Sequence, residues 1–185
     1  MRIALRLIVS AAVLWTGVVA AGAPEDPAAA GRQIAMDFGS RLKTALGGAM
    51  AEDGPNAAVD VCHTRAPAIA EAVSEESGAD VGRTALKVRN PENAPDADER
   101  SVLEAFARQL SRDSDTVPEK VMRLDDGRVR YMRAIVTQPL CLTCHGSQLS
   151  PAVTEVIDAR YPEDQARGFS VGELRGAFTI TWPAD

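Results

Sequence analysis

Cys141-Leu142-Thr143-Cys144-His145 sets two thiols three positions apart, with an imidazole directly after the second. This spacing suits the capture of both vinyl groups of a haem as thioethers, while the adjoining His takes the iron from one face. Both sulfurs are then held along one edge of the porphyrin, and His145 is tethered under the metal. Paired cysteines have other uses. A thioredoxin-like redox pair belongs at a helix start beside a βαβ pattern, and the chain shows none. Structural zinc needs four ligands, and by count Cys62 and His63 would complete a set. The direct Cys-His junction is nevertheless the attachment signature, and zinc has no need of it.

The front of the chain sets the compartment. Arg2 and Arg6 form a positive start, and residues 7–20 are an apolar run broken only by Ser10, Thr16 and Gly17. Ala21-Gly22-Ala23 then offers a small-residue cleavage site ahead of the acidic Pro24-Glu25-Asp26-Pro27. Residues 1–23 therefore read as a signal peptide, and the protein as periplasmic. The run is short for a membrane span, although a retained anchor is the alternative. Export agrees with the motif, because covalent haem is assembled where haem meets reduced apoprotein outside the bacterial cytoplasm.

Residues 24–185 hold one domain's worth of chain, enough for a single core. Loss of Arg2 and Arg6 takes the formal charge from −6 to about −8. An acidic domain with no basic stripe does not suit nucleic acid. With the leader removed, no membrane span is expected. Aromatic content is only 4%, so a buried porphyrin would supply apolar volume that the side chains do not.

Ile34, Phe38, Leu42 and Leu46 recur at helical spacing and predict a helix over residues 30–51, which Gly47-Gly48 would end or loosen. After a turn at Asp53-Gly54-Pro55-Asn56, a second helix is expected over 57–77, kinked or restarted at Pro67. Val59, Cys62, Ala66, Ile69 and Val73 form its apolar stripe, and His63 lies one residue round. Cys62 is the odd cysteine left when Cys141 and Cys144 take haem. Three readings compete: an inert core residue, a thiol that pairs with another molecule, or a second axial ligand. Residues 80–88 read as extended, with Arg83, Lys87 and Arg89 between apolar positions. Those cations form either a solvated face or partners for haem propionates. A turn-rich loop over 90–96 leads to a helix over 96–110. Strands over 121–124 and 128–136 flank the Asp125-Asp126-Gly127 turn. Val129, Tyr131, Arg133 and Ile135 share one face of the second. A short helix over 151–159 and a last strand over 175–182 follow the motif.

This order excludes the common small cytochromes. A mitochondrial-type cytochrome c carries its motif near the start and supplies a Met downstream, whereas no Met follows His145. Cytochrome c′ ends on a helix soon after its motif, and this chain closes on a strand.

Several separated stretches do match one family. Cys62-x-x-x-Ala66-Pro67-x-Ile69-Ala70 is the first, and Gly82-Arg83-Thr84-Ala85-Leu86-Lys87-Val88-Arg89-Asn90-Pro91-x-Asn93-x-Pro95-Asp96 the second. Beside the Cys141–Gly146 motif stand Tyr161-Pro162-x-Asp164-x-Ala166-x-Gly168 and Gly172-x-x-Arg175-Gly176. Together they resemble the DUF3365 family, the Tll0287-like c-type haem proteins, from about Gln33 to Trp182. The resemblance implies an α+β fold, a PAS-like antiparallel sheet with flanking helices, and one covalent haem c. It also implies His/Cys axial ligation, which falls here on His145 and Cys62. His63, beside the family's cysteine position, either competes for iron or hydrogen-bonds nearby.

A thiolate stabilises ferric over ferrous iron, so a low reduction potential is expected. On reduction the thiolate can take a proton and leave, opening a position for CO or NO. Ligand exchange suits a redox or diatomic-gas sensor, working through an unidentified redox or signalling partner because the chain has no output module. The alternative is a periplasmic electron-transfer cytochrome for a respiratory or photosynthetic partner. An enzyme such as a peroxidase is disfavoured, because a tight sixth ligand blocks substrate and no distal acid–base constellation is visible.

Overall fold

A computed structural model describes residues 22–184 apart from Ser114; the signal peptide expected over residues 1–23 falls, but for its last two residues, outside the described ones. Helix α1 (Pro27–Glu52) starts where the Asp26 carboxylate accepts the amides of Ala28 and Ala29, with Pro27 in the first turn. It runs through Gly47-Gly48 and ends at Asp53, so those glycines do not stop it. Gly54, at φ 81°, turns the chain into α2 (Pro55–Asp60). A π-helical turn (Val61–Arg65) then leads into α3 (Ala66–Ser77), so the expected single helix carries a bulge. The cause is Pro67. It has no amide hydrogen, and its ring crowds the carbonyl four residues back, so the wider turn, closed from Ala66 N–H to Val61 O, gives it room.

Gly78, at φ 68°, closes α3 and admits strand β1 (Asp80–Thr84). This strand is shorter than the expected 80–88. Ala85 N–H turns to Asn93 O, drawing residues 85–88 off the sheet ahead of a 3-10 turn (Pro91–Asn93). Helix α4 (Ala97–Leu110) is started by a reciprocal cap between Asp96 and Glu99. Strands β2 (Glu119–Arg123) and β3 (Val129–Val136) form the expected hairpin. The motif occupies a 3-10 turn (Pro139–Cys141) and the one-turn helix α5 (Leu142–His145). Helix α6 (Pro151–Arg160) and strand β4 (Leu174–Trp182) complete the chain.

The four strands form one antiparallel sheet in the order β1-β4-β3-β2, the last strand lying between the first and third. Helices cover both faces. Ala35, Phe38 and Val73 of α1 and α3 pack on Val81, Val129, Tyr131, Ile180 and Trp182. On the other side Val102, Leu103, Phe106 and Leu110 of α4 pack on Met132, Ala134 and Ala177. Gly31 lets α1 lie directly on Tyr131, since a Cβ there would stand 2.3 Å from the ring. A third cluster of Val59, Val153, Ile157 and Tyr161, with Cys144 against it, joins α2 to α6 beside the motif. No helix among the described residues is long and apolar enough to cross a membrane.

Candidate functional site

The motif is held by the loop that follows α6. His145 O accepts Phe169 N–H at 2.9 Å, and Gly146 O accepts Gly168 N–H at 3.1 Å. Gln165 N–H reaches Val88 O at 2.8 Å, tying the same loop to the segment after β1. Arg89 sits where these three pieces of chain meet. Its Nε donates to Asp164 Oδ1 at 3.0 Å, and one Nη donates to Cys144 O at 2.6 Å and Ala166 O at 3.2 Å. Asp164 is also held by Arg167 Nε at 2.6 Å and by Ala166 N–H at 2.9 Å. Burial raises the Asp164 pKa, but these hydrogen bonds outweigh it and hold the carboxyl below its ordinary range.

His145 Nδ1 lies 2.8 Å from Ala166 O. A carbonyl only accepts, so Nδ1 carries the proton and Nε2 keeps its lone pair for a metal. Burial, with Arg175 and Arg89 nearby, lowers the imidazole pKa to about 3, so the ring stays neutral. The Phe169 ring meets it edge-on, with centroids 6.3 Å apart.

All three cysteines are free and partly buried. Burial raises the Cys144 thiol pKa, opposed by Arg89. The bulged turn brings Cys62 close enough for its charge to act on Cys144, Tyr161, Arg83 and Arg175. The structure separates Cys62 from His63. Cys62 is partly buried, whereas His63 is exposed and rests edge-on against Tyr161, with centroids 5.3 Å apart. Among the described residues, no three His, Cys, Asp or Glu side chains converge to hold a bare metal ion. The four-ligand set that kept zinc open by count is therefore not assembled.

The three candidate cations fall in different settings. Arg83 lies over the Phe38 ring, 5.8 Å from its centroid, and burial lowers its pKa. Lys87 is on the exposed rim, 5.2 Å from the Phe169 centroid. Arg89 is turned inward on Asp164 and the motif's own backbone. Sequence reasoning gave no role to Arg175, Asp164, Phe169 or Tyr161, although all but Phe169 stand in the quoted family stretches. Arg175 lies over Phe169 at 5.3 Å, and its buried Nε has no hydrogen-bond partner.

These donors fit a haem. Two accessible thiols at the attachment spacing, an imidazole with a free Nε2, and a third thiol brought near them make an N/S set suited to iron. Fold and site define an α+β domain of helices on a four-stranded antiparallel sheet, with a Cys-x-x-Cys-His segment clamped beside it. The family profile described as Tll0287-like matches residues 11–183, and the chain belongs to that family. It is similar to the crystal structure of the cyanobacterial heme-protein Tll0287, with 28% identity and a TM-score of 0.59. The match covers 84% of this chain and 91% of that one. No curated protein matches the chain.

Proposed function

We propose that the chain is an exported, periplasmic monohaem c-type cytochrome, with iron held between His145 and Cys62, acting as a redox or diatomic-gas sensor. Cys141 and Cys144 are the attachment thiols, Arg83 and Lys87 supply positive charge around the carboxylates, and the architecture is PAS-like. The bound group would supply one-electron chemistry at iron. One observation carries the reading. Ala166 O accepts the hydrogen bond from His145 Nδ1–H and leaves Nε2 free, beside three thiols that form no disulfide. The chain's part is to fix that imidazole, to hold Arg89 under the motif, and to present Cys62 from a bulged turn. π-Bulges recur at functional sites because they re-aim side chains. Cys62 as thiolate is a strong donor, and as thiol a weak one, so its proton decides whether it holds the metal. CO and NO are the ligands such an opening would admit.

The test is the electronic and EPR spectrum of haem-loaded ferric protein, wild type beside Cys62→Ser. A low-spin thiolate signature present in wild type and lost in the variant is expected. Identical spectra would make Cys62 a packing residue.

An electron-transfer role has one observation in its favour. Leu140 and Val171 are 54% and 55% exposed on neighbouring segments beside the motif, an apolar contact surface of the kind a small redox partner uses. Coincident oxidative and reductive titrations would favour the carrier, and hysteresis the sensor.

A further inference from the structure

The charges around the motif do not balance. Arg83 on β1, Lys87 and Arg89 after it, Arg167 before β4 and Arg175 on β4 are the cations. Asp164 is the carboxylate among them, and Arg89 and Arg167 both hold it. Arg167 also pairs with Asp158 on the outer side. Of the other titratable groups, Cys62 is within range of both Arg175 and Arg83, and Tyr161 of Arg83. Among the described residues, neither Arg83 nor Arg175 has a carboxylate partner. Among the described residues, the side chain of Arg175 makes one hydrogen bond, a long contact of 3.3 Å from Nη1 to Lys87 O. Its Nε is buried with none. A buried N–H without an acceptor is costly, so the open Arg175 Nε, with the half-buried Arg83 guanidinium near it, is suited to receive an anion.

We infer that Arg175, seconded by Arg83, receives the propionate carboxylates of the porphyrin, and that Arg89 is instead a positioning residue for the motif. The inference rests on the haem reading above. Arg175 lies over Phe169, whose ring meets His145, so the guanidinium is one aromatic ring away from the iron ligand. Phe169 fixes the planar fork from below, and a carboxylate takes such a fork in two parallel hydrogen bonds. Arg83 is supported in the same way by Phe38. The two guanidinium groups without a carboxylate partner among the described residues match the two carboxylates that a porphyrin of this class carries.

The experiment uses holoprotein: wild type, Arg175→Gln, Arg175→Lys, Arg83→Gln, and Arg123→Gln on the outer strand as a charge control. Each is characterised by intact mass and by midpoint potential against pH. Wild type is also loaded in vitro with haem dimethyl ester, which lacks the carboxylates. Arg175→Gln should still carry one covalent haem, because Cys141 and Cys144 are intact. Its midpoint potential should fall and gain an inflection in the weakly acidic range, where a released propionate titrates. Arg83→Gln should do so to a smaller extent, Arg175→Lys should retain most of the wild-type profile, and Arg123→Gln all of it. On the dimethyl ester, wild type and Arg175→Gln should coincide. If Arg175→Gln does not fold, Arg175→Lys read on haem and on the ester carries the test: a small difference from wild type on haem that vanishes on the ester is expected, and one that persists on the ester overturns the assignment. An Arg175→Gln curve that overlays wild type, or a difference that persists on the ester, overturns the assignment. Wild type without covalent haem overturns the parent reading, and is seen directly by mass.

Discussion

Arg89→Met tests whether the site is held by one buried guanidinium. Arg89 and Asp164 have side chains only 9% and 1% exposed, and Arg89 also holds the carbonyls of Cys144 and Ala166. Removing one partner of a buried ion pair costs about 3–5 kcal/mol. Asp164 keeps Arg167 and the Ala166 amide, which places the loss low in that range. The two carbonyls lose a charged donor, which adds to it. Met fills most of the side-chain volume, so little is lost to a cavity. The expected total is about 3–4 kcal/mol, or roughly 6–16 °C in Tm for a chain of this size. Urea unfolding of wild type, Arg89→Met, Asp164→Asn and the double variant gives the coupling directly. It should reach about 1–3 kcal/mol. The Asp164 pKa is depressed in the folded state. Its contribution is therefore present above the unfolded value of about 4 and is lost as pH falls through the folded one. Arg89→Met should accordingly lose part of the wild type's sensitivity to acid. A single-variant cost below about 1 kcal/mol, or strict additivity in the double, would refute the clamp.

Other perturbations separate the remaining layers. Gly31→Ala gains helix propensity but drives a Cβ to 2.3 Å from the buried Tyr131 ring, so a net loss of about 1–3 kcal/mol is expected in denaturant midpoint. Glu119 is hydrogen-bonded by Arg32, Tyr131 and Arg133, and chiefly the Arg32 bond takes its pKa down to about 2. Its contribution is full above about pH 4.3 and lost toward pH 2, so Glu119→Gln should flatten the stability profile in that window. Asp96→Ala removes both the amide cap on Glu99 and the 2.7 Å bond from Arg130, and should cost about 1–2 kcal/mol by urea titration. An unchanged midpoint would mean that neither contact contributes.

Much of this molecule is legible wherever the cause is local. Helix α4 lies almost where its apolar spacing puts it, because the Asp96–Glu99 cap and the Val102, Leu103, Phe106 and Leu110 stripe are written within one short stretch. The β2–β3 hairpin follows from Asp125-Asp126-Gly127, with Gly127 at φ 85°. Elsewhere a distant partner decides. β1 stops at Thr84 because Asn93 accepts the next amide. The period of β3 shows one apolar face, but the strand is central and buried on both.

The Cys-x-x-Cys-His motif and the likeness to a family were determined by the sequence alone, since both are patterns of spacing along the chain. The roles of the cations were not. Arg83, Lys87 and Arg89 are near neighbours in sequence and look equivalent, yet one lies over Phe38, one is on the rim, and one is buried against Asp164. Arg175, distant in sequence, is left with a buried open donor. Cys62 and His63 are likewise adjacent in the chain, and only the bulge at Pro67 and the packing of Tyr161 place one inside and the other out. A side chain's chemistry is carried by its residue type, but its charge balance and its aim depend on which remote segments fold against it. Only the tertiary structure decides that.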